Sequence, residues 1–397
     1  MKSINYILWT VLTINLGYSQ IDLSLEWEFQ EDLSYFDSVA LNYIVNDEIS
    51  QLEFIYGIIV IHQGKIVSEQ YYNGSSVSHI FNIWSVTKSY TSTLLGQAFD
   101  MGMINDPDSS ASYFFPDYNI DYLETISLHD LLTMSSGYID GFYYPYWYIQ
   151  STETLVSMIH SSPGSFFYNN SACHLNSHAI YYASDMTPIE FANSYLFPYL
   201  GIENPVWNSG YLGINDGSAS LHLNLRDMVK LGQLYIQDGL SGDIQVVSSE
   251  WINRATSIHV QTGYWGNYGL PGYGYLWWLP YMEGTYLAFG YGGQFIAVIP
   301  EYNLIIGSHS TDWGPSDVNI HAINLLGIIF SEIVPMFEKA DINDDSIVNI
   351  LDIIMVVNFI LSIDVPTNSE YFASDINSDE IINIIDIIEI VQVILNQ

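Results

Sequence analysis

Two twelve-residue stretches near the C-terminus repeat at a spacing of 34 residues: Asp341-Ile-Asn343-Asp-Asp345-Ser-Ile-Val-Asn349-Ile-Leu-Asp352 and Asp375-Ile-Asn377-Ser-Asp379-Glu-Ile-Ile-Asn383-Ile-Ile-Asp386. Each places an oxygen-bearing side chain at positions 1, 3, 5, 9 and 12, and each is followed by an apolar run of helical length. A hard divalent cation takes six to eight oxygens, and a loop of this length wraps them around it. Position 7 serves through its backbone carbonyl, so Ile347 and Ile381 need no polar side chain. Between Ala340 and Gln397 stand eleven acidic residues and no basic one. Such a segment repels itself until cations neutralise it, which links its folding to metal binding. The expected cofactor is calcium, held by Asp341, Asn343, Asp345, Asn349 and Asp352 in one loop and by Asp375, Asn377, Asp379, Asn383 and Asp386 in the other. Position 6, where glycine makes the sharp turn, is Ser346 in one loop and Glu380 in the other. A non-glycine residue at positive φ costs about 1 kcal/mol, so affinity should be reduced.

Upstream the composition differs. The full chain of 397 residues is 49% hydrophobic, enough for a large core. Its 7 Lys+Arg against 44 Asp+Glu give a formal charge of −37, which argues against nucleic acid or an anionic membrane surface as a partner. Met1-Lys2, a mostly apolar run from Ile4 to Leu16, and Gly17-Tyr18-Ser19 read as a signal peptide over residues 1–19, cleaved after Ser19. Asn5, Thr10, Thr13 and Asn15 interrupt the run and leave it short of the ~20 apolar residues of a membrane span. The chain is therefore expected to be secreted, periplasmic or at the cell surface, with no span after cleavage. Cys173 is the single cysteine, so no intrachain disulfide exists.

From about Ile21 to Glu332, strand-like runs such as Gly57-Ile58-Ile59-Val60-Ile61 alternate with helical ones such as Ser85 to Met101. We place the domain boundary near Pro335 to Lys339, giving a body over 20–336 and a small module over 337–397.

The body carries Phe81-Asn-Ile-Trp-Ser85-Val-Thr-Lys88 at the start of a helical run. Residues three apart on a helix share a face, so hydroxyl and amine project together. A serine hydroxyl is a weak nucleophile until a base takes its proton, and a desolvated lysine can share that task. Ser-x-x-Lys alone is a common pattern, but lysine is scarce here, with five in the chain, and this one lies in an apolar stretch. Downstream, Pro163-Gly164-Ser-Phe-Phe-Tyr168-Asn-Asn170 puts a Tyr-x-Asn after a turn and before a helical run. A third element, Phe289-Gly290-Tyr291-Gly292-Gly293-Gln294, precedes the strand Phe295 to Ile299.

Together these motifs resemble the serine β-lactamase-like hydrolases, which include class C enzymes, carboxylesterases and 6-aminohexanoate-dimer hydrolases. The likeness spans about Phe54 to Phe330. Leu131-Leu-Thr-Met-Ser-Ser-Gly137, Arg226-Asp-Met-Val-Lys-Leu-Gly232 and Tyr273-Gly-Tyr-Leu-Trp-Trp278 support it. The resemblance implies an α/β fold: a β-lactamase/transpeptidase-like domain, with an antiparallel sheet flanked by helices and an all-helical insertion between the first and third motifs. It implies Ser85 as nucleophile, with Lys88 and Tyr168 sharing the proton and no catalytic cofactor. Asn170 would position the substrate, and Gly292, Gly293 and Gln294 would lie at the oxyanion site, with the amides of Ser85 and Gln294 as donors. β-Lactamases usually hold a lysine where Tyr291 stands. Its absence favours a neutral or cationic ester or amide of small size over an anionic β-lactam.

The C-terminal repeats resemble a type I dockerin, a small all-α calcium-binding module, from roughly Lys339 to Gln397. That implies a cohesin-like or surface protein partner, often in polysaccharide-degrading systems. Positions 10 and 11, often hydroxyl residues in that family, are Ile350-Leu351 and Ile384-Ile385. Two competing functions remain open at this point: a β-lactamase or D-alanyl-D-alanine carboxypeptidase, and a binding or scaffold protein without turnover. His174 and His178, one helical turn apart, read as structural rather than metal-binding. The aromatic run Phe142 to Tyr148 is either ordinary loop packing or the wall of an acyl or sugar pocket.

Overall fold

The computed structural model describes residues 20–31, 33, 36, 38–311, 318–343, 347–377, 379 and 381–396. The expected signal peptide, Asp345, Ser346 and Glu380 lie outside the described residues.

An eight-stranded antiparallel sheet organises the body. Strands β1 (Ile55–His62) and β2 (Lys65–Tyr71) form a hairpin over Gln63 and Gly64, whose φ values of 51 and 75 match the twist of a two-residue turn. After a long excursion the chain returns as β3 (Val260–Gln261), β4 (Gly272–Tyr273), β5 (Trp278–Leu279), β6 (Tyr286–Gly290), β7 (Gln294–Ile299) and β8 (Leu304–Ser310). Their order is β2-β1-β8-β7-β6-β5-β4-β3. The central strands β7 and β8 are buried at every residue, which is why they read as unbroken apolar runs rather than alternating ones.

Helix α1 (Thr87–Asp100) runs through the middle of the body, with Thr87 to Ala98 all buried. Its polar face is satisfied internally: Ser89 Oγ donates to Leu276 O at 2.9 Å and Thr91 Oγ1 to Gly217 O at 3.0 Å. Helix α2 (Asn170–Ser184) packs against α1, and α3 (Leu225–Ile236) lies on β7 and β8. That approach depends on Gly307, where a Cβ would stand 2.2 Å from Val229 Cγ1. Helix α4 (Val318–Ile328) continues in short π and 3-10 turns to Phe337 and buries Leu325, Ile329, Ile333 and Phe337 in the same core. Among the described residues, Ile320–Phe337 has the length and hydropathy of a membrane span, and 39% of it is buried in the body.

The excursion between β2 and β3 carries helices, but it is not the all-helical insertion expected. Phe81–Asn82, Leu221–Leu223 and Val206–Trp207 form a three-stranded sheet, and Leu240–Ser241 pairs with Ile244–Gln245. The first of these leads directly into Ser85, so the pairing Asn82↔His222 anchors the segment that presents it.

The C-terminal helices α5 (Ile350–Ile360), α6 (Asn368–Ser374) and α7 (Ile384–Asn396) enclose a separate core of Ala340, Ile342, Val348, Val356, Ala373 and Ile390. Phe372 of this module lies 5.5 Å from the His62 ring at the end of β1. Several cations of the described chain are paired. Arg226 meets Glu69 through two bonds of 2.8 and 2.6 Å, Arg254 reaches Asp106 at 3.3 Å and Glu250 at 3.2 Å, and Lys65 faces Glu28 at 3.5 Å. Lys339 Nζ donates to Asp375 O at 2.5 Å.

Candidate active site

Ser85 emerges from a constrained turn. Trp84 has φ +47, a costly conformation for a bulky residue, held by Asn82 Oδ1, which accepts Trp84 N at 2.9 Å and Ser220 N at 3.1 Å. Lys88, one turn later on α1, is 1% exposed. Its Nζ donates to Ser85 Oγ at 2.9 Å, Asn170 Oδ1 at 2.7 Å and Ser218 O at 2.7 Å. An ammonium has three donors, and all three have an acceptor. The 2.9 Å separation places the Ser85 hydroxyl where its proton can pass to that nitrogen.

Tyr168 and Asn170 come from the start of α2. Asn169 caps that helix, its Oδ1 accepting Ala172 N at 3.0 Å while its Nδ2 donates to Tyr138 O at 3.1 Å and Asp140 O at 2.6 Å. That double anchor turns Asn170 toward Lys88. The Tyr168 ring lies 4.9 Å from Lys88 Nζ and stacks on Trp278 at 5.6 Å.

The glycine-rich turn joins β6 to β7. Gly292 and Gly293 have φ of 79 and 96, which other residues rarely adopt. Gly290 is the residue of this turn against the nucleophile: a Cβ there would stand 2.7 Å from Ile83 O and 3.2 Å from Ser85 N. Gln294 is fully buried, with Nε2 donating to Ser310 O at 2.6 Å and Oε1 accepting Ser310 N at 3.0 Å. Its carboxamide ties β7 to β8 and does not face Ser85.

Aromatic rings wall the site on two sides. Trp84 contacts Tyr144 at 5.0 Å and Tyr291 at 5.3 Å, and Trp147 joins the same cluster. On the other side Tyr168, Trp278 and Trp265 pack together, with Trp265 and Trp278 5.2 Å apart. The run Phe142 to Tyr148 therefore packs beside the nucleophile.

Asp216 was not singled out from the sequence. It is fully buried, and its Oδ1 accepts both Trp147 Nε1 and Ser218 N at 2.9 Å. Burial pushes its carboxyl up to about 6, against the downward pull of the Ser218 amide, the Trp147 indole and the Lys88 cation. An acidic residue between Asn215 and Gly217 reads as a turn, and only its closeness to Ser218 and Ser220 hints at buried polar company.

His174 and His178 face each other, Nε2 to Nε2 at 3.2 Å, while His178 Nδ1 meets Thr152 Oγ1 at 2.7 Å and His174 Nδ1 accepts Gly217 N at 3.2 Å. All four ring nitrogens are engaged in packing α2. Burial holds His178 down to about 3. Cys173 is buried, and burial raises its thiol above the usual range.

In the C-terminal module the described residues of the two loops share a bonding pattern. Asp352, fully buried, accepts Ile342 N and Asn349 N at 2.8 Å each; Asp386, also fully buried, accepts Ile376 N at 2.9 Å and Asn383 N at 2.8 Å. Asp375 Oδ1 and Asn377 Oδ1 both accept Asp379 N at 3.0 Å. Two oxygens thus converge on one point, and each position-12 carboxylate clamps its loop while keeping lone pairs for a cation. An oxygen-only donor set of this kind fits calcium.

The fold and these motifs define a β-lactamase/transpeptidase-like domain followed by a dockerin-type module. Residues 55–327 match the β-lactamase family model, and residues 339–395 match the dockerin type I domain model. The chain belongs to the β-lactamase family, whose members are serine hydrolases, and carries a dockerin type I domain. An uncharacterized protein of Alkalihalophilus pseudofirmus is 22% identical over 310 residues, 68% of this chain and 87% of that one. A Bacillus anthracis structure assigned to the 6-aminohexanoate-dimer hydrolases aligns with TM-score 0.63 and 18% identity, over 80% of this chain and 90% of its own. A class C β-lactamase of Rhodobacter sphaeroides aligns with TM-score 0.57 and 15% identity, over 74% of this chain and 100% of its own.

Proposed function

We propose that the chain is an exported serine hydrolase that cleaves an ester or amide through an acyl-enzyme on Ser85, tethered through its C-terminal module. The observation that carries this reading is the buried Lys88 Nζ, within hydrogen-bond distance of Ser85, Asn170 and Ser218 at once. A lysine so enclosed costs desolvation energy that a purely structural role would not require.

With Lys88 as the free amine, Ser85 Oγ attacks the carbonyl carbon, its proton passes to Lys88 Nζ, and the carbonyl π electrons move onto oxygen. The oxyanion accepts from the Ser85 amide and an amide of the Gly290–Gln294 turn, each fixed in advance and worth about 3 kcal/mol in the transition state. Gly290, where even a Cβ would crowd Ser85 N, lets that turn approach the nucleophile. Collapse expels the alcohol or amine, which takes the proton by way of Lys88 and Tyr168. Water then attacks the acyl-enzyme with Tyr168 as base, and Ser85 leaves with its proton restored.

No cation stands in the third motif, where Tyr291 packs on Trp84, and the walls are aromatic. With a chain charge of −37, a neutral or cationic substrate fits better than an anionic one. In the C-terminal module the loop residues Asp341, Asn343, Asp345, Asn349 and Asp352, and Asp375, Asn377, Asp379, Asn383 and Asp386, would hold calcium, which would neutralise their charge. Ile350, Leu351, Ile384 and Ile385 are all exposed and would meet a cohesin-type partner with apolar contacts. Such a partner implies work outside the cell or at its surface.

The test is turnover of p-nitrophenyl acetate, p-nitrophenyl butyrate, a linear amide dimer and nitrocefin by wild type and Ser85→Ala. Ser85-dependent turnover of esters or amides, with little on nitrocefin, is expected. Preferential nitrocefin hydrolysis would move the chain to the β-lactamase reading, and absence of all turnover to the non-catalytic one.

A further inference from the structure

Lys88 is enclosed, yet no carboxylate bonds to it directly. Its three acceptors are a hydroxyl, a carboxamide and the Ser218 carbonyl. Ser218 is thus the only backbone support of the ammonium among its hydrogen-bond partners, and what fixes Ser218 fixes Lys88. Two bonds do so: Ser218 N donates to Asp216 Oδ1 at 2.9 Å and Ser218 Oγ donates to Asn170 O at 2.5 Å, while the neighbouring Ser220 Oγ donates to Asp216 Oδ2 at 3.3 Å. Asp216 Oδ1 also takes the Trp147 indole N–H at 2.9 Å, and Trp147 belongs to the aromatic wall that includes Trp84, the residue before the nucleophile. The Asp216 backbone is held in turn, its carbonyl accepting Trp207 Nε1 at 2.7 Å.

We infer that Asp216 is the positioning residue of the site: one buried carboxylate oxygen sets both the Ser218 carbonyl beneath Lys88 and the Trp147 wall beside Ser85. It touches neither substrate nor the reacting atoms and acts through those two partners. The residue joins the base to the binding wall, so loss of its acceptors displaces both. Asparagine can keep the shared acceptor with its carbonyl oxygen and turn its amide toward Ser220 Oγ, which can accept. Alanine can do neither. This inference rests on the reading of Ser85 as nucleophile.

The experiment measures the second-order rate of labelling by a fluorophosphonate, together with kcat and KM for p-nitrophenyl butyrate, for wild type, Ser85→Ala, Asp216→Asn, Asp216→Ala and Trp147→Phe. Wild type labelled and Ser85→Ala unlabelled establishes the nucleophile independently of Asp216. Asp216→Ala is then expected to label on the order of 10²-fold more slowly, as for a misplacement of about 1 Å, with Asp216→Asn within about 5-fold of wild type. Trp147→Phe, which severs one arm, is expected to raise KM about 5-fold with kcat little changed. Asp216→Ala labelling within about 3-fold of wild type would overturn the inference while leaving the nucleophile intact. Asp216→Asn as slow as Asp216→Ala would also overturn it, since charge rather than placement would then matter. If Asp216→Ala does not fold, the KM of Trp147→Phe and the labelling rate of Asp216→Asn decide the matter, and an unchanged KM overturns it. A wild type that does not label Ser85 defeats both readings together.

Discussion

Lys88 Nζ and the Ser218 carbonyl oxygen lie 2.7 Å apart, although the two residues are separated by 130 positions in sequence. The ammonium rests on the polypeptide as well as on its partner side chains, which gives it one place to be. Replacing Lys88 by Met keeps the length and removes the amine. We expect labelling of Ser85 to fall by at least about 10³-fold, as for loss of one member of a unit that acts together. Labelling near the wild-type rate would exclude Lys88 as the proton acceptor.

Gly290 offers a test on the other side of the nucleophile. A Cβ there would meet Ile83 O at 2.7 Å and Ser85 N at 3.2 Å, both backbone atoms that cannot swing aside. Gly290→Ala should reduce kcat on the order of 10²-fold by shifting Ser85 against its acceptors, with a folded circular-dichroism spectrum retained. Unchanged kcat would place the reacting carbonyl elsewhere.

Calcium should act on the C-terminal module alone. At one hundred times its dissociation constant the ion stabilises a folded form by about 2.7 kcal/mol. Chelation is expected to lower the melting transition of the residues beyond Lys339, whereas labelling of Ser85 should not change. Replacing both Asp375 and Asp341 by Ala should abolish the calcium-dependent shift; a shift that survives would assign the ion to other ligands.

Stability should fall in acid through the buried histidines. Burial holds His62, His178 and His309 down to about 3, well below the ordinary value of 6.5. A base depressed in the folded state leaves the unfolded chain binding more protons between those values. The stabilising contribution is complete above pH 6.5 and is lost progressively as pH falls toward 3, at up to about 1.4 kcal/mol per pH unit for each group. Denaturant unfolding from pH 7 to 4 measures the slope, and His309→Gln should make it shallower. An identical slope in that variant would remove His309 from the account.

The motifs were legible in sequence where chemistry compresses into short spacing. Ser85 and Lys88 share one helical turn, and the calcium loops repeat residue for residue, so both announce themselves locally. The antiparallel sheet followed from the same likeness, and the fold agrees with it. Asp216 was not legible in this way, and Trp147 was legible only as one ring of the aromatic run Phe142 to Tyr148. Their meaning arises from a bond between residues 69 positions apart, and an acidic residue before glycine looks like any exposed turn until its surroundings are known. Gln294 illustrates the converse: it stands in the motif, yet its side chain serves the pairing of β7 with β8. The helical insertion hid short strands for a related reason, since two or three residues of pairing leave no period to read.

The scarcity of cations, and the burial of Lys88 among them, has a practical side. Lys88 is 1% exposed and Lys230 4%, whereas Lys65 at the β1–β2 hairpin keeps 45% of its side chain in solvent. A protease that cuts after lysine or arginine would find few footholds on the native fold and would reach Lys88 only after denaturation. Digestion of the unfolded chain would then release residues 66–88, with Ser85 near the end, and leave 89–226 as one piece carrying Tyr168, Asn170 and Asp216. A mass added by an acyl group would report on the short peptide alone. The cut that frees it falls at the lysine on which, in the folded enzyme, the two pieces meet.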